Sequence, residues 1–191
     1  MEPVRAFIAI ELPAELKESL RQLETGLKSG ARLPVKWVDP GSMHLTLKFL
    51  GNVNADRLGD IVGVMEKAAA GIPPFILEVG GLGAFPDLQR VQVVWVGVGG
   101  DTECLNRLQQ SIESGLAPLG FAAEPRKFAP HLTLARVRDR ASYEERQDFG
   151  RLIERNSFSG AVINVNSVNL MRSQLTGVGP IYTQIGSVNL K

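Results

Sequence analysis

Two histidines, His44 and His131, are the only imidazoles in the 191-residue chain, and each opens the tetrapeptide His-Leu-Thr-Leu. Both tetrapeptides are apolar or β-branched and flanked by Pro or Gly, which reads as strand. Alternate side chains of a strand share a face. His44 and Thr46 would therefore point one way and Leu45 and Leu47 the other, with His131 and Thr133 repeating the arrangement. Imidazole titrates near neutrality, so one ring can accept a proton while the other donates one. A threonine hydroxyl on each side could hydrogen-bond the oxygens of a phosphate held between the two strands. This chemistry requires neither metal nor cofactor. A carbonyl substrate would call for a nucleophile and an oxyanion hole, and no Gly-x-Ser-x-Gly elbow is present.

Basic residues gather around the second tetrapeptide: Arg126, Lys127, Arg136, Arg138 and Arg140. Arg136 is the favoured phosphate clamp. Strict alternation puts it on the leucine face, opposite His131, unless the strand bulges or ends by Ala135. The same alternation puts Lys48 on the His44–Thr46 face.

The elements that must position these groups can be read in order. Arg5–Glu11 is a buried strand. Pro13 opens a helix carrying Leu12, Leu16, Leu20, Leu23 and Leu27 at helical spacing to about Gly30. Pro34–Val38 is extended and Asp39-Pro-Gly41 turns into the first His-Leu-Thr-Leu strand, Met43–Leu50. Asn54 is a plausible cap for a helix faced by Leu58, Ile61, Val62 and Met65. Phe75–Val79 is a strand and Gly80–Pro86 a glycine-rich loop. Val91–Gly97 is a strand, and Asp101 could cap a helix carrying Leu105, Leu108, Ile112 and Leu116. The second His-Leu-Thr-Leu strand follows. Ser142 and Glu145 form a capping box for a fourth helix. Ala161–Gln174 and Ile181–Asn189 close the chain, with a Gly177–Pro180 turn between them. Gly97-Val-Gly-Gly lacks the third glycine of a dinucleotide loop and reads as a strand-to-helix turn.

The halves correspond. The two histidines lie 87 residues apart (131 − 44), and each half reads strand, helix, His-Leu-Thr-Leu strand, helix, strand. This suggests an internal duplication whose second copy restarts near residue 91. The expected fold is α+β, one bilobal domain over residues 1–191. Two similar antiparallel sheets with flanking helices would be related by a pseudo-two-fold, with the active cleft between them.

Composition is that of an ordinary globular protein, with a net charge of +1, so no global field gathers nucleic acid. The single cysteine, Cys104, excludes an internal disulfide framework and a cysteine-based zinc site. With no basic-then-apolar leader and no bilayer-length apolar run, the expectation is a cytoplasmic monomer with no membrane contact.

With these residues in view, the chain resembles the 2H phosphoesterases, and more closely the RNA 2′,3′-cyclic phosphodiesterases once described as 2′-5′ RNA ligases. Besides the two His-x-Thr-x motifs, the matches are Phe7-Ile-Ala-Ile10 with Pro13, Trp37, and His44-Leu-Thr-Leu-Lys-Phe-Leu-Gly51. Gly83-Ala-Phe-Pro86, Phe128-x-Pro-His131 with Arg136, and Gly179-Pro-x-Tyr182 complete the pattern. The resemblance implies metal-independent opening of a terminal 2′,3′-cyclic phosphate to a 2′-phosphate, with His44 as proton donor and His131 as proton acceptor. Thr46, Thr133 and Arg136 would bind substrate, which could be an RNA end, a tRNA half or a small cyclic nucleotide. Two other readings stay open: joining of RNA ends through a 2′-5′ linkage by the same residues, and a non-catalytic module that binds RNA ends or nucleotide phosphates.

Overall fold

The computed structural model describes residues 3–30, 34–177 and 179–191. Among them lie nine strands and four α-helices: β1 (Val4–Glu11), α1 (Ala14–Gly30), β2 (Val35–Trp37), β3 (His44–Val53), α2 (Leu58–Ala69), β4 (Phe75–Phe85), β5 (Val93–Gly100), α3 (Thr102–Leu116), β6 (His131–Val137), α4 (Tyr143–Glu154), β7 (Ala161–Val165), β8 (Ser167–Thr176) and β9 (Gly179–Asn189). They form two sheets in which every pairing is antiparallel, in the orders β3-β1-β8-β9 and β2-β6-β5-β4-β7. No helix among the described residues is long and apolar enough to cross a membrane.

The sheets match strand for strand. β3, β1, β8 and β9 in one hold the places of β6, β5, β4 and β7 in the other, and β2 is added outside β6. Neither sheet is built from one half of the chain. β4 leaves the first half to pair with β5, and β8 comes from the second half to pair with β1. The exchange ties the halves into one apolar core that takes Leu16, Leu20 and Leu27 from α1 and Ile61 and Met65 from α2. Leu105, Leu108 and Ile112 from α3 and Phe149 and Ile153 from α4 join it. All four helices are amphipathic, and burial of these stripes fixes them on the sheets.

Several elements depart from the pattern expected of the sequence. Gly80–Phe85 is the second half of β4 rather than a loop. Its glycines are needed in the strand: Gly81 has φ +73° at a bulge, and a Cβ on Gly83 would lie 2.3 Å from the Trp95 indole on β5. β5 likewise runs on to Gly100. The segment 161–174 is two strands, in different sheets, broken at Asn166. Ser142 and Glu145 do close a capping box. Asp101 precedes α3 without a side-chain cap; its carboxylate faces the Ile76 N–H at 3.5 Å. Asn54 makes no cap bond either, and a 3-10 turn separates it from α2. The turn expected at Gly177–Pro180 includes Val178, which lies outside the described residues; Thr176 pairs with Gly179 across it.

Candidate active site

His44 is the first residue of β3 and His131 the first of β6. The chain enters each strand in the same way. His44 Nδ1 lies 2.9 Å from the Ser42 carbonyl and His131 Nδ1 lies 2.7 Å from the Ala129 carbonyl, two residues back in both cases. A carbonyl can only accept, so each Nδ1 carries the proton and each Nε2 is left for chemistry. Aromatic rings fix the two planes. Phe7 and Tyr182 meet His44 edge-on at 5.9 and 5.4 Å between centroids. Phe85 meets His131 edge-on at 5.1 Å, with Trp95 at 6.5 Å. On the β1 side these rings belong to a small second apolar cluster, Phe7, Ala9 and Met171 with Tyr182, on the sheet face away from the main core.

The surroundings of the two Nε2 atoms differ. His44 Nε2 is 2.7 Å from Glu11 Oε2. The other carboxylate oxygen, Oε1, takes a hydrogen bond from Lys17 Nζ, which also donates to the Gly41 carbonyl at 3.1 Å. Burial works against ionisation of Glu11, but the hydrogen bonds and charges of His44 and Lys17 together outweigh it and hold the carboxyl at about 2. His44 thus meets proton acceptors at both nitrogens, an arrangement that the doubly protonated ring satisfies. Among the described residues His131 Nε2 has no hydrogen-bond partner.

Thr46 faces Ala9 across β1 and Thr133 faces Trp95 across β5, each on the face of its histidine. Both are half-buried, and among the described residues neither hydroxyl is engaged. Beyond the threonines each strand bulges at the same place. In β6 the register steps from Thr133↔Trp95 to Ala135↔Val94, so Leu134 and Ala135 both point into the core. Alternation is reset by one residue, and Arg136, opposite Val93, returns to the His131–Thr133 face. The conflict between Arg136 and strict alternation is thereby removed.

In β3 the register steps from Thr46↔Ala9 to Lys48↔Ile8. The expectation that Lys48 shares the face of His44 is therefore wrong. Leu47 and Lys48 both turn inward, and Lys48 is 6 % exposed. Its Nζ donates to Glu113 Oε1 on α3 and to the Ala122 carbonyl, both at 2.6 Å. The residue that takes the site face is Phe49, opposite Phe7 and 68 % exposed. Phe49 and Arg136 stand at equivalent positions, 87 residues apart (136 − 49).

Three residues of this face were missed in the sequence. Glu11 ends β1 opposite His44, which the antiparallel pairing of β1 with β3 would have revealed. Phe49 required the bulge. Lys36 of β2 pairs with Arg136, and nothing local predicts that β2 joins the sheet of the second motif. Like charges directly opposite one another are unfavourable, and an anion bound between Lys36 and Arg136 would relieve the repulsion.

The profile of the family "LigT like Phosphoesterase" matches residues 10–95 and 98–182. A protein of Methanothermobacter thermautotrophicus named RNA 2′,3′-cyclic phosphodiesterase is 37% identical over 183 residues, covering 95% of this chain and 96% of that protein. A Thermotoga maritima protein of the same name is 33% identical over 180 residues, covering 94% and 91%. The crystal structure of E. coli LigT complexed with 3′-AMP aligns over 99% of both chains with a TM-score of 0.78 and 26% identity. With the family match spanning both histidine strands, the chain belongs to the LigT-like phosphoesterases, a family of 2H phosphoesterases.

Proposed function

We propose that this protein hydrolyses 2′,3′-cyclic phosphates at RNA ends or on small cyclic nucleotides, leaving a 2′-phosphate and a free 3′-hydroxyl. His131 Nε2 takes a proton from water as the water oxygen bonds to phosphorus. The P–O3′ bond breaks and His44 Nε2 gives its proton to O3′. One water is consumed and no other reactant is needed. Thr46 and Thr133 donate to the non-bridging oxygens from the two sides, and Arg136 with Lys36 compensates the charge that builds on them. Phe49 offers an exposed ring on which a nucleobase can stack. The two imidazoles supply all the proton transfer, so the reaction needs no metal or cofactor.

The observation that carries the proposal is the matched pair of Nδ1–carbonyl bonds with unlike surroundings at Nε2: a carboxylate at His44 and, among the described residues, no partner at His131. One ring is prepared to donate and the other to accept. The phosphodiesterase names of the relatives, and the 3′-AMP and phosphate complexes of E. coli LigT, support the same substrate class. Joining of RNA ends would run the same proton transfers with a 5′-hydroxyl in place of water as the attacking group, and abundant water favours hydrolysis.

The reading includes a monomer, since one chain supplies both histidines. It places the protein in the cytoplasm, in keeping with a lone cysteine packed partly against the core. We also take the two halves as copies of one ancestral unit that exchanged their last strands. The test is replacement of each histidine. His44→Ala and His131→Ala should each remove turnover of adenosine 2′,3′-cyclic phosphate by about 10²–10⁴-fold while far-UV circular dichroism and the unfolding midpoint stay near wild type. Full activity in His131→Ala would overturn the assignment.

A further inference from the structure

The contact between Glu11 and His44 does more than the proposed reaction asks of it. Glu11 Oε2 sits 2.7 Å from the one nitrogen that must reach the leaving oxygen. Its other oxygen is held by Lys17, itself anchored on the Gly41 carbonyl. The Glu11 side chain is 45 % exposed, whereas that of His44 is 6 % exposed. The ring is fixed by Phe7, Tyr182 and Ser42, so of the two partners the carboxylate is the one free to move.

We propose that Glu11 is a positioning residue, which holds the Nε2–H of His44, keeps it aimed in the free protein and yields Nε2 to the substrate's leaving oxygen. This rests on the reading of His44 as proton donor. A charge-assisted bond to a carboxylate is roughly twice as strong as a neutral one, and Lys17 keeps the carboxylate close to the ring. When substrate arrives, its phosphate brings an acceptor oxygen to Nε2, and Glu11 turns toward solvent. After O3′ has taken the proton, His44 is neutral and presents a lone pair. A lone pair facing a carboxylate is two acceptors in contact, which favours return of a proton from water. The groups facing His44 in this cycle are Glu11 of β1, Lys17 of α1 and Tyr182 of β9.

The geometry separates two effects of removing the charge. Glu11→Gln retains the side chain's size but loses the carboxylate. Substrate then displaces a neutral amide, so KM for adenosine 2′,3′-cyclic phosphate should stay equal or fall. The donor is no longer held, so kcat should fall about tenfold, less than the roughly 10²–10⁴-fold that loss of the acid itself costs. Glu11→Asp, which keeps the charge on a shorter stem, should recover part of the loss. A purely structural role for Glu11 would not separate kcat from KM in this way.

The contact itself can be read without turnover. The chain has only two histidines, so ring N–H correlations of protein labelled with ¹⁵N-histidine are few, and His131→Ala leaves those of His44 alone. A ring N–H held in a hydrogen bond exchanges slowly enough to be observed. The expected result is two slow ring N–H signals from His44, with the Nε2 signal lost in Glu11→Gln and moved to a new position on saturation with inorganic phosphate. No Nε2–H signal in the wild type, or kcat of Glu11→Gln within about twofold of wild type on the tenfold scale above, would overturn the proposal. Absence of turnover in the wild type would instead count against the reading of the cleft, and the N–H signals would still decide the role of Glu11.

Discussion

Replacing Lys48 by Met tests the bulge that sets the faces of Lys48 and Phe49. Lys48 Nζ gives two hydrogen bonds of 2.6 Å, to Glu113 Oε1 and to the Ala122 carbonyl, with its side chain 5 % exposed. Methionine fills a similar volume and donates nothing. Breaking a buried ion pair from one side costs ~3–5 kcal/mol, because the remaining charge stays buried. Glu113 keeps two donors, the Glu124 N–H at 2.7 Å and Gln109 Nε2 at 3.4 Å, and is 18 % exposed. The lower end, about 3 kcal/mol, is therefore expected. In a chain of this size each kcal/mol lowers Tm by about 2–4 °C, which gives a fall of about 6–12 °C. Adding Glu113→Gln removes the stranded charge and should restore much of the loss, as a double-mutant cycle in urea would show. Activity at 25 °C should change little, because Lys48 lies on the opposite face of β3 from His44. An unchanged midpoint with activity down about tenfold or more would refute the argument, since it would put Lys48 in the cleft.

Three further outcomes follow from the same geometry. Phe49→Ala should raise KM for a base-bearing cyclic phosphate with kcat nearly unchanged, the loss being ~1–3 kcal/mol if a nucleobase stacks there; steady-state kinetics would show the split. Gly83→Ala places a Cβ 2.3 Å from the Trp95 indole, which must shift together with the Phe85 and His131 rings beside it; activity should fall and the unfolding midpoint should drop. Glu11 has a folded value near 2, below the ordinary 4.5, so its carboxylate stabilises the fold above about pH 4.5 and that contribution is lost as pH falls towards 2. The stability gap between wild type and Glu11→Gln in urea should thus close over that range. It should be small throughout, because solvent screens a carboxylate this exposed.

Much of the site was legible because it is local. A two-residue alternation within His-Leu-Thr-Leu states that the imidazole and hydroxyl share a face, and repetition of the tetrapeptide states that there are two such faces. The helices were legible for the same reason: their leucines recur at helical spacing, and Ser142 and Glu145 carry their own cap. What escaped is non-local or depends on one unpaired residue. No sequence rule places the bulges after Thr46 and Thr133, yet each shifts the alternation of the residues that follow it, sending Lys48 inward and bringing Phe49 and Arg136 out. The glycines of β4 look like a loop until Trp95 is laid across Gly83. The exchange of β4 and β8 between sheets joins segments far apart in the chain, as does the pairing that brings Lys36 beside Arg136. Glu11 reads as the polar end of a buried strand and gains a role only when β1 is laid antiparallel to β3.

The central claim is tested most directly by incubating the purified protein with a short RNA ending in a 2′,3′-cyclic phosphate, in the presence of EDTA, and resolving the product end against 2′- and 3′-phosphate standards. The account predicts a 2′-phosphate, sensitive to phosphatase, formed at a rate that EDTA does not lower. A 3′-phosphate product would contradict the assignment of O3′ as the leaving oxygen, and bound but unreacted RNA would make the cleft a binding site rather than a catalytic one.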